Sequence, residues 1–223
     1  MPPPPMRKVV LPGQYLGDSR YLKPGRGTFI EKGKIYAMVL GVFERKGNIV
    51  QVIPLKGRYN PVIGDFVIGI IEEAMPSSWL VDINAPYPAL LHVSETPWEI
   101  EYGDAEKYLK TGDSIMAKVL LIDAERKLQL TLNDRNLYKI RGGHIIDVEP
   151  SKVPRIIGKR GSMINLLKRL TRCRIIVGQN GRIWIDGDDE NIAKLLLAIR
   201  IIEEESVSYG LTDKIERLLK MMT

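Results

Sequence analysis

The residues best suited to chemistry form a short glycine loop, Gly158-Lys159-Arg160-Gly161, in the last third of the chain. Glycines lack a Cβ, so a sugar-phosphate backbone can approach the main chain closely at both ends of the loop. Lys159 and Arg160 add positive charge, and a helix that begins directly after the loop would add the positive end of its dipole. The pattern therefore predicts electrostatic binding of phosphate groups.

Two helices are predicted to hold this loop in place. Apolar residues recur at helical spacing on both sides of it: Ile156, Ile157, Ile164, Leu167 and Leu170. We expect Gly158 to end the first helix in a left-handed conformation and Ser162 to be the N-cap of the second. The other predicted elements are, in order, a strand over 144–148, strands over 174–177 and 182–186 joined by a turn at 179–181, and a helix over 191–205.

The element order β-α-α-β-β-α and the sequence I-I-G-K-R-G-S-M-I resemble the type I (eukaryotic-type) KH domain. In KH domains the glycine loop clamps about four nucleotides of single-stranded nucleic acid. The resemblance implies that single-stranded RNA is the partner. It assigns RNA binding to five residues: Arg155, Gly158, Lys159, Arg160 and Gly161. The alternative is a glycine loop that only joins two helices.

Charge is distributed unevenly along the chain, which has a net charge of +6. Residues 1–60 contain 11 basic residues (Lys or Arg) and 3 acidic residues (Asp or Glu). Residues 138–223 contain 16 basic and 11 acidic residues. Residues 61–137 are acidic overall, with 6 basic and 13 acidic residues. Nine basic residues and no acidic residue lie between Glu149 and Asp186. A segment with one sign of charge predicts a polyanionic partner.

The composition disfavours several classes of function. A single cysteine, Cys173, excludes an internal disulfide framework and a cysteine-based zinc site. His92 and His144 are widely separated, and we predict neither a metal nor a cofactor. The acidic run 186–190 is better explained as a turn followed by a helix start. No apolar run approaches the roughly 18 residues of a membrane span, so we expect a cytoplasmic protein without a membrane partner.

From residue 64 the pattern changes to short apolar strands that predict an OB-type barrel. Five strands are expected, with a long connection before the last two, over residues 64–71, 79–83, 89–95, 115–122 and 128–132. Four ordered blocks resemble the S1 RNA-binding domain: G-D-x-V-x-G-x-I, W-x-V-D-I, L-L-H-x-S-E and Y-L-K-x-G-D-x-I-x-A-K-V.

Barrels of this type bind single strands by stacking bases on aromatic side chains and by following the backbone with cations. The stacking candidates are Trp79, Tyr87 and His92, and the cationic candidates are Lys118, Arg126 and Lys127. For Trp79 the alternative role is core packing, and for Tyr87, which stands between two prolines, it is support of a loop. The acidic balance of this part of the chain departs from the expectation for an RNA-binding domain.

The first part of the chain predicts a small β domain. Residues 1–5 form a proline-rich tail that is expected to be disordered or extended, and a first strand is expected over 7–11. Strands over 35–43 and 49–55, joined by a polar turn, indicate a hairpin. The fold class is multidomain α+β. The predicted domains are an N-terminal β domain over 1–62, an S1 domain over 63–136, and a KH domain with a C-terminal helix over 137–223.

An N-terminal β domain followed by one S1 and one KH domain resembles the archaeal exosome's RNA-binding cap subunit of the S1–KH type. The resemblance covers nearly the whole chain, from about Arg7 to Met221. It implies a non-catalytic subunit, three copies of which cap a hexameric ring of RNase PH-type subunits and guide RNA 3′ ends into it. The ring would degrade RNA from 3′ to 5′. In agreement, no carboxylate pair and no Ser/His/Asp or Cys/His arrangement has a spacing suited to catalysis.

Three other functions compete with this one. A transcription factor of the NusA type has an S1 domain before its KH domains, but it carries two KH units, and only one is visible here. A nuclease with appended S1 and KH domains needs a large catalytic core, for which 223 residues leave no room. A free-standing RNA-binding protein is the third alternative.

Overall fold

The computed structural model describes residues 8–205 and 210–222. The predicted proline-rich tail and Arg7, the expected start of the first strand, lie outside the described residues. The chain divides between Gly57 and Arg58 into two compact units. Among the helices of the described ranges, none is long and apolar enough to cross a membrane.

The first unit consists of short strands in two sheets. Its strands are β1 (Lys8–Val10), β2 (Tyr15–Asp18), β3 (Lys23–Pro24), β4 (Thr28–Glu31), β5 (Lys34–Ala37), β6 (Gly41–Lys46) and β7 (Ile49–Pro54). One sheet has the order β1-β6-β7-β3, and the other has the order β2-β5-β4. Val10, Ala37 and Val52 form a small buried cluster, to which both sheets contribute. This core is modest, as expected for a unit of this size.

The predicted hairpin is present, but its first strand is interrupted. The predicted strand over 35–43 divides into β5 and β6, which belong to different sheets. Apolar residues continue through the crossing at 38–40, so hydrophobic periodicity does not reveal the change of sheet. The hairpin is formed by β6 and β7, and Gly47 occupies its turn with a φ of 62°, which suits glycine.

The second unit begins with a closed five-stranded barrel. Its strands are β8 (Phe66–Met75), β9 (Ser78–Asp82), β10 (Ala89–His92), β11 (Ser114–Ile122) and β12 (Leu128–Thr131). They follow the order β12-β10-β9-β8-β11, and pairing of β11 with β12 closes the barrel. The predicted OB-type barrel is confirmed, and helix α1 (Ala105–Tyr108) lies in its long connection. The third strand ends at His92 because Val93–Glu95 form a 3-10 turn.

A sixth strand, β13 (Tyr138–Ile140), pairs with β11 and so belongs to the barrel sheet. The predicted domain boundary at residue 136 places these residues with the KH domain instead. Lys139 secures the strand through an ion pair of 2.5 Å with Asp113. Burial raises the pKa of Asp113, but hydrogen bonds from the Lys139 ammonium and the Lys110 backbone N–H outweigh it and lower the pKa overall.

The remainder of the second unit has the predicted KH order. Its elements are β14 (His144–Asp147), α2 (Val153–Ile157), α3 (Ser162–Thr171), β15 (Arg174–Val177), β16 (Arg182–Asp186), α4 (Asp189–Glu204) and α5 (Leu211–Met221). The three strands form an antiparallel sheet with the order β14-β16-β15. The β-α-α-β-β-α arrangement is confirmed. Helix α4 begins two residues before the predicted start.

The KH sheet is covered on both faces. Ile175, Ile183 and Ile185 are buried with residues of the KH helices. Trp184, between Ile183 and Ile185, points to the opposite face of the sheet and belongs to the barrel core. Its neighbours Ile145 on β14 and Ile176 on β15 also pack against that core. The alternation of side chains along a strand therefore serves two cores at once.

The turn between β15 and β16 contacts the main chain of the barrel. Asn180 in this turn is fully buried. Its Oδ1 accepts a hydrogen bond from the Ile68 N–H at 3.2 Å, and its Nδ2 donates to the carbonyls of Ile68 at 2.8 Å and Ile83 at 2.9 Å. The Asn84 side chain donates to the Asn180 carbonyl at 3.0 Å. A Cβ at Gly178 would lie 2.3 Å from the Asn180 Oδ1, so glycine is required there.

Two neighbours of Asn180 extend the contact with the barrel. Gln179 donates its backbone N–H to the Phe66 carbonyl at 2.8 Å, and its Oε1 accepts from the Phe66 N–H at 2.5 Å. Arg182, whose side chain is 8% exposed, donates to the Asp82 carbonyl at 2.7 Å and pairs with the Asp82 carboxylate. The sequence predicts only a turn at this position, whereas the structure makes it the polar centre of the S1–KH contact.

Replacing Asn180 with Ala tests the importance of this contact. The change removes a donor and an acceptor from buried main-chain groups of Ile68 and Ile83. We expect the free energy of unfolding, measured by urea denaturation, to fall by about 3 kcal/mol, because unsatisfied buried groups cost about 1–3 kcal/mol each. The matched control is Gln179→Ala, which removes one hydrogen bond at an exposed residue and should cost less than about 1 kcal/mol. Equal losses in the two variants would contradict the assignment.

Candidate nucleic-acid interface

The glycine loop lies between α2 and α3, as predicted, but its backbone differs in detail. Gly158 has a φ of 75° and a ψ of 170°, so its φ is positive but it is not in the left-handed helical region. That region is occupied by Gly161, with φ 78° and ψ 12°. Gly161 is the N-cap of α3 and Ser162 is already helical, so the predicted N-cap at Ser162 is wrong. Three residues of the loop have a positive φ: the two glycines, for which such a φ is not strained, and Arg160, with a φ of 53°.

The start of α3 is suited to an anion. Helix α3 has ten residues, and no side chain caps its first amides, because the N-cap residue is a glycine. Uncapped N–H groups and the helix dipole both favour negative charge at this end. Lys159 and Arg160 are exposed beside it and form no ion pair within the described ranges. The loop therefore combines cations with main-chain donors, as phosphate binding requires.

The other cations of the basic segment are used in different ways. Arg155 is partly buried in the last turn of α2, next to the loop. Arg182 is committed to the barrel. Arg174 pairs with Asp186, and its guanidinium lies 5.6 Å from the centre of the Trp184 ring. The nine basic residues between Glu149 and Asp186 thus do not all belong to one binding face, because Arg182 is buried against the barrel and Arg174 is paired with Asp186.

Trp79, a stacking candidate for which core packing was the alternative, takes the core position. Trp79 is fully buried in the barrel core, and its indole N–H donates to the Leu109 carbonyl at 2.9 Å. A large aromatic side chain whose one donor is satisfied inside the barrel fills the core, and its ring faces are not accessible to a base.

Tyr87 and His92 remain available to a ligand. Tyr87 is 56% exposed in the segment between β9 and β10. His92 is also exposed, and its Nδ1 accepts a hydrogen bond from the Ser94 N–H at 3.2 Å. Both stay predictions as RNA-binding residues.

The three cationic candidates of the barrel differ in whether they are already engaged in an ion pair. Lys118 donates to Asp134 at 2.6 Å, and this hydrogen bond lowers the pKa of Asp134 below its usual value. Lys127 pairs with Glu125 at 2.7 Å. Arg126 is exposed with a φ of 64° and has no ion pair within the part of the chain that is described. Among the described residues, no hydrogen bond or ion pair joins these side chains to the glycine loop.

Phe66 is an accessible aromatic residue that the sequence reasoning did not select. It is 37% exposed, lies opposite Lys118 on the neighbouring strand, and has its ring centre 5.8 Å from the Lys118 Nζ. Its exposure does not follow from alternation along the strand, because Val67 and also Ile68, which lies on the same face as Phe66, are fully buried. The sequence carries no signal for it, since strand neighbours point to opposite faces but the run 66–71 is apolar throughout.

The described residues contain no group of three or more His, Cys, Asp or Glu side chains arranged to hold a metal ion. The acidic run 186–190, for which a turn and helix start were expected, contains the end of β16 and the first turn of α4. Asp189 and Glu190 lie in that first turn, where the helix dipole favours carboxylates.

Known families match the chain in three consecutive parts. A model described as the N-terminal domain of exosome RNA binding protein RRP4 matches residues 7–56, one described as the RRP4 S1 domain matches 58–121, and a KH domain model matches 143–191. Proteins named exosome complex component Rrp4 are 49% identical over 214 residues in Methanosarcina mazei and 47% identical over 219 residues in Pyrococcus abyssi. Each alignment covers 96% of this chain and 82% of the relative. The chain belongs to the exosome Rrp4 family.

Further relatives agree with this family. The exosome complex component Rrp4 of Picrophilus torridus is 42% identical over 217 residues, covering 97% of this chain and 94% of that protein. A crystal structure described as an exosome complex RNA-binding protein has a TM-score of 0.68 at 38% identity, covering 74% of this chain and 97% of the other. The family resemblance that was inferred from the order of N-terminal, S1 and KH domains is confirmed, and the relatives named here are archaeal.

Substitution of Gly158 with Ala tests the backbone of the loop in this Rrp4-family chain. A Cβ at Gly158 would lie 2.7 Å from the Met163 backbone N, at a φ that L-residues rarely adopt. We expect a loss of about 2 kcal/mol or more in the free energy of unfolding. Gly161→Ala is the matched control, because its φ of 78° is equally unusual but its Cβ would meet nothing closer than 3.5 Å. It should cost about 1 kcal/mol, and a larger loss than for Gly158→Ala would refute this account.

Proposed function

We propose that the chain binds single-stranded RNA as a non-catalytic subunit of the exosome. Three copies cap a hexameric ring of RNase PH-type subunits and guide RNA 3′ ends into it for degradation from 3′ to 5′. The complex works in the cytoplasm. The catalytic groups belong to the ring, and the contribution of this chain is to hold the substrate.

The observation that carries the RNA-binding proposal is the geometry of the glycine loop. Lys159 and Arg160 are exposed at the start of a ten-residue helix whose first amides lack a side-chain cap. This arrangement supports contact with the phosphates of a strand rather than with one particular base. The relatives' name, exosome complex component, and the RNA-binding description of the N-terminal family model support the assignment to an exosome.

Membership of a ring complex gives weak RNA contacts a physical role. A strand held by one loop stays near the others, so the second contact forms at a high effective concentration. Three copies around one opening would therefore retain RNA better than one copy, even if each single contact is weak. The candidate residues of the barrel, Tyr87, His92 and Arg126, would add further contacts along the same strand.

The variant Lys159→Asp with Arg160→Asp tests the loop. Both side chains are exposed, so the variant should fold like the parent chain. We expect its affinity for a fluorescein-labelled oligoadenylate to fall about tenfold or more. The slope of log affinity against log salt should become shallower by about 0.7 for each phosphate that the variant no longer neutralises. Fluorescence anisotropy at several salt concentrations measures both quantities.

The matched control is Lys107→Asp with Lys110→Asp, which changes the net charge equally at two exposed positions of the barrel connection. This control should retain most of the affinity and the original slope. Unchanged binding by the loop variant would make the loop structural. The purified chain should not shorten the oligonucleotide with phosphate and magnesium present, and processive shortening by it alone would contradict the non-catalytic role.

A further inference from the structure

Three aromatic residues form a row across the sheet β2-β5-β4 of the first unit. Tyr36 on β5 pairs in register with Tyr15 on β2 and with Phe29 on β4. The Phe29 and Tyr36 rings are stacked with centres 5.6 Å apart, and the Tyr15 and Tyr36 rings meet edge to face at 6.0 Å. These three residues are called the aromatic row. Cross-strand aromatic pairs of this kind stabilise a sheet and fix the positions of the rings.

The aromatic row lies on the outward face of its sheet. Ile35 and Ala37, which flank Tyr36 on β5, are fully buried on the opposite face. Tyr15 is 54% exposed and Phe29 is 38% exposed, while Tyr36 between them is half-buried. The sheet therefore presents two accessible rings that are held in place by a third. Large exposed aromatic side chains that are not needed for the core indicate a binding surface.

The next row on the same face carries charge. Lys34 lies opposite Asp18 on one side and Glu31 on the other. Arg20 donates two side-chain hydrogen bonds to the Asp18 carboxylate, at 2.9 and 3.1 Å, and lowers the pKa of Asp18 to about 2. The guanidinium is thereby held in a defined place close to the aromatic row, and it lies 5.8 Å from the centre of the Tyr21 ring.

The charge of the whole unit favours a polyanion. Residues 8–57 contain nine Lys or Arg and three Asp or Glu. Two of the three carboxylates, Asp18 and Glu44, already pair with cations inside the unit. Residues 61–137, which contain the S1 barrel, carry 6 basic and 13 acidic residues. The first unit as a whole is thus better suited to RNA than most of the barrel, although the row next to the rings balances Lys34 and Arg20 against Asp18 and Glu31.

We propose that the aromatic row is a base-stacking site for single-stranded RNA. Bases stack on Tyr15 and Phe29, and the excess of cations in the unit attracts the phosphates. This inference rests on the proposed function only in taking RNA as the ligand. A protein partner is the less favoured occupant, because the cores of protein interfaces are depleted in charge, whereas a fully charged row adjoins the rings on the same face.

The double variant Tyr15→Ala with Phe29→Ala in the full chain tests the proposal. We expect its affinity for a labelled oligoadenylate to fall about tenfold or more, because each stacked base contributes substantially to binding. The salt slope should stay unchanged, since no cation is removed. This combination separates the stacking site from the glycine loop, whose variant is expected to change the slope.

Two controls accompany the double variant. Tyr15→Phe with Phe29→Tyr keeps both rings and should bind within about twofold of the parent chain. Tyr102→Ala removes an aromatic side chain that is 84% exposed outside the row and should also bind normally. Photocrosslinking of the unmodified chain to RNA, with peptide mapping, gives a second measurement that does not depend on the folding of a variant. Crosslinks within the aromatic row are expected.

The outcomes that overturn the proposal are distinct from failure of the proposed function. If the parent chain binds RNA and the double variant binds equally well, the aromatic row is not an RNA site, although RNA binding by the chain stands. Normal RNA binding with loss of association with ring subunits would identify the row as a protein contact and would also overturn the proposal. Absence of RNA binding by the parent chain would overturn both.

Discussion

The second unit depends on one buried side chain that joins two domains. Asn180 belongs to the KH sheet by sequence, but its amide satisfies the main chain of the barrel at Ile68 and Ile83. An amide buried without partners would be costly, whereas here donor and acceptor are both matched. The Arg182–Asp82 pair and the packing of Trp184 against the barrel core surround it. The S1 and KH domains are therefore one structural body with a polar centre.

This constraint gives different roles to two turns that share the same glycine spacing. Residues 158–161 and 178–181 both have the pattern G-x-x-G. In the first, Lys159 and Arg160 remain exposed. In the second, Asn180 is buried and Gly178 is needed because any Cβ there would collide with it. The first turn therefore presents cations to a ligand, while the second, which contains no cation, contacts the barrel.

The first unit, unlike the second, has a small core. Its buried cluster around Val10, Ala37 and Val52 is small, and several large apolar side chains are exposed. Cross-strand pairs, such as those in the aromatic row, add to the stability of its sheets. The unit also has an excess of cations, so exposed aromatic rings and a net positive charge occur together in it. The same side chains that order the sheet are then available for recognition.

The sequence by itself determined the three modules, because their signals are local: periodicity predicted the strands and helices in order, and the I-I-G-K-R-G-S-M-I stretch and the S1 blocks carried the resemblance to known domains. It did not determine which side chains face a ligand. Trp79 and Tyr87 look alike in the sequence, yet one fills the barrel and the other is exposed. Asn180, Arg182 and β13 find their partners far away along the chain, and the aromatic row forms only when three strands align. The tertiary structure decided these positions, because burial and hydrogen bonding depend on long-range neighbours that no local pattern records.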